Sequence, residues 1–218
     1  MNGNWDWSAV ADFMPRFWDG VLLTLQVLAL GSLISFSLGL LWAFGLRSAS
    51  RFVRWPVNVV TEFIRNTPLL VQLFFLFFVL PEWGVQFSAL TTGTVAIGLH
   101  YSTYTAQVYK AGIDAVPVGQ WEAATALSLP AHRTWFAVIL PQAIRRIVPA
   151  LGNYVVSMLK DTPLLAGISV LEMLQQARLE SASTFQYTEP LTVVGIAFIL
   201  IAYPASLLLR ALERRLVR

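Results

Sequence analysis

The 218-residue chain is 56% hydrophobic and only 12% charged, where a soluble domain carries about 25% charged residues, and its mean hydropathy is +0.64. That balance excludes an ordinary soluble domain, and the absence of cysteine excludes disulfides and thiolate metal sites. The pI near 9.5 fits a charge bias in the loops of a membrane protein better than nucleic-acid binding.

In chain order, the first twenty residues hold Asp6, Asp12 and Asp19 but a single basic residue, Arg16. A cleaved signal needs a basic start, so the first apolar run is expected to be a retained helix. A membrane helix needs roughly 20 apolar residues. Residues 20–46, 83–109 and 190–209 carry no charge and read as three spans. Two more are interrupted: residues 57–80 by Glu62 and Arg65, and residues 147–170 by Lys160 and Asp161. The expectation is an all-α membrane protein of about five spans, one domain over residues 1–218 with its core at about 18–212. Arg47, Arg51, Arg54, Lys110, Arg133, Arg145, Arg146, Arg210, Arg214, Arg215 and Arg218 then fall on one side. Cytoplasmic loops collect Lys and Arg, which predicts N-out/C-in. Gly31, Ser32, Ser35, Ser37 and Gly39 in span one permit close helix packing, within the subunit or against a partner.

The interrupted spans share an echo. Arg65-Asn66-Thr67-Pro68-Leu69-Leu70 and Lys160-Asp161-Thr162-Pro163-Leu164-Leu165 both read basic-x-Thr-Pro-Leu-Leu. Thr as N-cap before Pro at the first helical position signals a helix start, so each span is expected to restart at its proline. Irregular backbone at membrane depth is tolerated inside protein or beside a water-filled cavity, and half-helix N-termini suit anionic groups. Arg65, Asn66, Thr67, Lys160, Asp161 and Thr162, with His100, Tyr101 and Tyr104 of span three, are therefore candidate residues of a solute pathway. An alternative stays open: Glu62 and Arg65, three apart, can pair on one helix face, Lys160 can pair with a carboxylate, and His100 can be a packing residue.

The segment from residue 111 to 146 is long and moderately polar. Trp121, Ala124, Leu127 and Ser128 fall at helical spacing and Pro130 ends the run, which predicts a short amphipathic helix. Its few basic residues disfavour a helix lying on lipid; small residues beside one carboxylate suit docking into a groove on another protein.

Within it, Glu122-Ala123-Ala124, Ser128 and Val138 through Leu140-Pro141 resemble the Glu-Ala-Ala loop of ABC importer permeases, with Ser128 in place of Gly and Val138 in place of Ile. The resemblance implies that Gly119, Gln120, Trp121, Glu122, Ala123, Ala124, Ser128, Leu140 and Pro141 form the coupling element that sits in a cleft of an ATPase subunit. Residues 20–25, 62–72, 111–113, 140–143 and 160–165 resemble the polar-amino-acid permeases of that family, which take solutes such as glutamate, glutamine, histidine or arginine. Residues 63–68, 76–81, 90–93, 100–101 and 160–165 resemble more narrowly the permease subunits of ectoine/hydroxyectoine importers. The implied fold is the type I importer (MetI-like) permease, and the implied cargo a small zwitterion: Arg65 and the helix starts would hold its carboxylate, and Tyr101 or Tyr104 its cation. The implied partners are an ATPase dimer, a second permease subunit (a relative or a copy), an external solute-binding protein and the lipid of the cytoplasmic membrane.

The chain has two lysines, Lys110 and Lys160, neither preceded by the Gly of a phosphate-binding loop. No cofactor is expected in this chain, since ATP and Mg would act in the partner ATPase. An intramembrane enzyme finds no His-Glu-x-x-His or Gly-x-Ser-x-Gly motif. An ATP-independent carrier of two inverted halves fits five spans poorly.

Overall fold

The computed structural model describes residues 5–216; Arg218, counted above among the basic residues, lies outside the described residues. Helix α1 runs from Trp7 to Leu46, starting well before the charge-free stretch. Asp6 caps it, its carboxylate accepting from the Ser8 and Ala9 amides at 2.8 and 3.4 Å. After α2 (Arg51–Asn66) and α3 (Leu69–Phe74), the path continues through a π-turn (Phe75–Val79) and a 3₁₀ turn (Leu80–Trp83). It stops at Gly84, whose φ of +82° glycine adopts without strain. Helix α4 (Ala89–Asp114) begins six residues later than the expected span three, since residues 84–88 are not helical.

Helix α5 spans Val118–Ala126. The short α6 (Ala131–Arg133) passes through a π-turn (Thr134–Ile139) into α7 (Leu140–Asp161) and a 3₁₀ stretch (Thr162–Ile168). Helix α8 (Met173–Thr184) is capped by Glu172, which accepts from the Leu174 and Gln175 amides at 2.9 and 2.7 Å. Helix α9 (Thr188–Leu216) ends the described chain.

By length and apolarity α1 and α9 can cross a membrane, and the bent pairs Arg51–Asn66 with Leu69–Trp83 and Ala131–Ile168 with Met173–Thr184 add two further candidates. Helix α4 falls short on apolarity, although it is uncharged from Ala89 to Tyr109. Its polar side chains explain this. Thr92, Thr94, Ser102, Thr103 and Thr105 are all buried, and Thr94, Ser102 and Thr103 bond backbone carbonyls three or four residues back. At about 1.5 Å per residue its 26 residues reach about 39 Å, beyond the roughly 30 Å of hydrocarbon. It is long enough to be the fifth span expected from the sequence, with these polar side chains turned into the protein.

Only one of the two expected breaks lies at its proline. At Pro68 the backbone turns out (φ −58°, ψ 135°) and α3 starts at Leu69, so that Pro68, rather than the expected Thr67, stands in the cap position. At Pro163 the path does not restart. Asp161 stays in the right-handed helical region and the helix merely tightens to 3₁₀. Pro163 has no N–H for the Leu159 carbonyl four residues back, and the Thr162 hydroxyl donates to that carbonyl instead, at 2.8 Å. The turn-out falls at Ser169, where φ is +62°.

The chain divides into two units. One comprises Met1–Leu33, Thr67–Gly98 and Val156–Ala205; its core holds Phe13, Phe17, Val21, Met173, Ala177 and Val194. The backbones approach closely there, a Cβ on Gly20 falling 2.9 Å from the Met173 Cα. The other comprises Ile34–Asn66, Leu99–Val155 and Ser206–Arg218, around Ile113, Val116, Ile139, Ala143 and Ile147. The small residues of α1 pack within the subunit. Gly39 lies against Ser102 and Thr105, and the Thr105 hydroxyl donates to the Ser35 carbonyl at 2.8 Å. Gly31 lies against Ile97 and the Ser32 hydroxyl meets the Met158 sulfur at 3.8 Å, while Ser37 is exposed.

Candidate functional site

Helix α5 is anchored on one side only. The Trp121 ring meets Trp135 edge to face at 5.2 Å, and Ala124 is buried. Trp121 and Trp135 pack against the second unit's core of Ile113, Val116 and Ile139. Gln142 donates from Nε2 to Gln120 Oε1 at 3.1 Å and to the Val138 carbonyl at 2.8 Å, tying α5 to the start of α7. The Arg146 guanidinium donates to the Ala115 carbonyl at 2.8 Å, fixing the turn that leads into α5.

The opposite face is open. Glu122 and Ala123 are exposed, as are Val118 and Leu127, 70% and 73% accessible, and a side chain at Gly119 would meet nothing. Leu127, grouped by its spacing with Trp121, Ala124 and Ser128, is exposed where Ala124 is buried; it is the residue at which α5 ends. Ser128 adopts φ +51°, its amide donates to the Thr125 carbonyl at 2.9 Å, and the Leu129 amide donates to the Ala124 carbonyl at 3.0 Å. That hydrogen-bond pair is a Schellman cap, whose left-handed residue is usually Gly. Ser128 therefore stands where the loop's pattern has Gly because the same turn is made, at some conformational cost. Leu140 is half-buried and Pro141 exposed at the start of α7.

The second unit also brings together Arg65, Asn66, His100, Tyr101 and Tyr104. The Arg65 guanidinium and the Asn66 amide both donate to the Glu62 carboxylate, so the intrahelical pairing is formed. The Tyr104 hydroxyl donates to the Arg65 carbonyl at 3.3 Å, a carbonyl left near the helix end by the break at Pro68. His100 and Tyr101 are buried, 8% and 7% accessible, and the His100 ring lies 5.5 and 5.3 Å from Tyr101 and Tyr104. Tyr154 of α7 completes the cluster, 6.1 Å from Tyr101 and 5.7 Å from Tyr104.

Beside Arg65 lies a cavity of about 390 Å³ lined by Leu46, Arg51, Arg54, Trp55, Asn58, Glu62, Arg65, Gln107 and Lys110. The sequence reading missed Tyr154 and the roles of Asn58 and Gln107. For the cavity the signal was present: residues 51, 54, 58, 62 and 65 step by three or four and share one helix face. Nothing in the spacing joins Tyr154 to residues 101 and 104.

Thr67 and the Lys160-Asp161-Thr162 group belong to the other unit. There the Thr67 carbonyl accepts from Gln72 Nε2 at 3.0 Å. Lys160 is exposed and Thr162 buried, and no carboxylate lies within ion-pair distance of Lys160 among the described residues.

The family of binding-protein-dependent transport system inner membrane components matches residues 35–218. A protein of Sinorhizobium fredii named a probable amino-acid ABC transporter permease is 44% identical over 97% of this chain and 91% of its own length. The L-cystine transport system permease of Bacillus subtilis is 35% identical over 97% and 92%. A crystal structure of an amino acid ABC transporter with histidines superimposes with a TM-score of 0.90 at 33% identity, covering 97% of this chain and 99% of that one. Helical elements with two bent paths, the one-sided helix α5 and these matches place the chain in one family: it belongs to the multi-pass inner-membrane permease subunits of ABC importers, of the MetI-like fold.

Proposed function

We propose that the chain is the membrane-spanning subunit of an ATP-driven importer of a polar amino acid, oriented N-out/C-in, with α5 as the element that receives the stroke of a separate ATPase. The carrying observation is the asymmetry of α5: Trp121, Ala124 and Gln120 fix it to this chain, while Gly119, Glu122, Ala123 and Leu127 face outward. A helix rigidly tied to α7 and open on its far side transmits a push. Two ATPase subunits that close on ATP and Mg move this helix; a second permease subunit, related or identical, moves with it, and the pathway alternates its facing. An external solute-binding protein delivers the cargo.

The amino-acid names of the relatives favour a polar amino acid over the ectoine or hydroxyectoine implied by the narrower resemblance. Arg65 suits the cargo's carboxylate: its guanidinium is part-exposed, positively charged, and beside helix-end backbone held by Tyr104. The Tyr101, Tyr104 and Tyr154 faces suit its ammonium.

The test is uptake into proteoliposomes holding the full chain with the ATPase, permease and binding protein encoded beside it. ATP inside should drive accumulation of a radiolabelled polar amino acid and not of ectoine, and Glu122→Lys should leave insertion intact but separate hydrolysis from uptake. Ectoine accumulation without amino-acid uptake would overturn the cargo; wild-type uptake by Glu122→Lys would overturn the role of α5.

A further inference from the structure

The charges lining the cavity beside α2 do not balance, with four cationic side chains to one carboxylate. Of its four cationic side chains, Arg65 is committed to Glu62, and Lys110 to Asp114 at 3.0 Å, a carboxylate also held by Arg47. Glu62, the cavity's single carboxylate, is already occupied by Arg65 and the Asn66 amide. Arg51 and Arg54 have no carboxylate within ion-pair distance among the described residues. Two guanidinium groups one helical turn apart, with the Asn58 amide on the next turn of the same face, thus line a space of about 390 Å³ that lacks a matching anion.

Exposed aromatic side chains of the same helix, Trp55 of the cavity wall among them, identify the surroundings. Phe52 is 94% exposed, Phe63 72% and Trp55 64%. Exposed Phe and Trp interleaved with Arg on one helix mark the boundary between lipid tails and headgroups, and basic pockets between membrane helices on the cytoplasmic side hold anionic headgroups. A water-soluble anion would use the guanidinium groups alone; an acylated one also uses the apolar faces beside them.

We propose that this cavity is a binding site for an anionic phospholipid, its phosphate held by Arg51 and Arg54 with the Asn58 amide donating beside them, its acyl chains lying along Phe52, Trp55 and Phe63. The proposed N-out orientation sets only which leaflet supplies it, the inner one; the site itself does not depend on the cargo assignment.

Native mass spectrometry of the full chain, released from detergent with equimolar phosphatidylglycerol and phosphatidylcholine, tests this. The wild type should retain phosphatidylglycerol preferentially. The double variant Arg51→Gln/Arg54→Gln should lose that preference by roughly 30-fold, as expected for two basic groups at a membrane surface, while Arg51→Lys/Arg54→Lys keeps most of it. Soluble glycerol 3-phosphate at the same concentration should not displace the lipid. Equal retention of the two lipids, an unchanged preference in the glutamine variant, or displacement by glycerol 3-phosphate would overturn the site. Displacement of the lipid by the transported amino acid would reassign the cavity to the solute path. Loss of uptake with lipid retention intact would bear on the proposed transport role alone.

Discussion

Replacing Ser128 with Gly should tighten the end of α5. Ser128 sits at φ +51° in the left-handed position of the cap that closes α5. That conformation costs a side-chain-bearing L-residue about 1–2 kcal/mol. Glycine relieves it but brings about 0.5–1 kcal/mol of extra unfolded-chain freedom, so the net gain is about 0.5–1 kcal/mol, confined to the end of the helix. Three amide hydrogen bonds depend on this turn: Leu127 to Ala123 at 3.0 Å, Ser128 to Thr125 at 2.9 Å and Leu129 to Ala124 at 3.0 Å. Hydrogen–deuterium exchange by mass spectrometry on the peptide spanning α5 should slow by roughly two- to fivefold in the Gly variant. Ser128→Val, a β-branched residue in the same region, should accelerate it. Exchange in the Gly variant equal to or faster than wild type, or a Val variant that protects as well as Ser, would refute the cap reading.

Three other outcomes follow from the packing. Gly39→Ala places a methyl group against the Thr105 hydroxyl and 3.0 Å from the Ser102 carbonyl, so thermal unfolding in detergent should show a loss of about 1–3 kcal/mol; no shift would mean that α1 and α4 separate easily there. Glu172→Ala removes the cap of α8 and should cost about 1 kcal/mol, read as faster exchange at the Leu174 and Gln175 amides, with unchanged exchange contradicting the cap. Arg65→Ala should lower carboxylate uptake at least tenfold while the protein still inserts. If instead Arg65→Ala transports normally and Glu62→Ala fails to assemble, the pair is a structural clamp and not part of the path.

The spans were legible where apolar runs are long, because burial in lipid demands them over whole helices. The same pattern understated α1, whose first turns carry Asp12, Arg16 and Asp19. The Arg16–Glu180 ion pair, made with a residue 164 positions away, is the contact that local hydropathy cannot register. The Thr-Pro echo was read as two equal breaks, yet one proline opens the helix and the other is absorbed. At the second, the Thr162 hydroxyl satisfies the carbonyl that Pro163 leaves bare, and the chain turns out only at Ser169. Between residues 111 and 146 the sequence located α5 and its end to within a turn, since Pro130 and the spacing of Trp121 and Ala124 are local signals. What it could not supply was the exposure of Leu127 beside the buried Ala124, nor the left-handed turn at Ser128. Tyr154 joined the aromatic cluster only through tertiary packing of α7 against α4.

The chain lacks cysteine, so a single introduced thiol reports cleanly on α5. With Glu122→Cys in intact cells, a membrane-impermeant maleimide should leave the thiol unmodified and label it fully once the cytoplasmic face is opened by lysis. Co-expression of the ATPase should then shield it. Labelling from outside intact cells would invert the orientation on which transmission of the stroke by α5 depends.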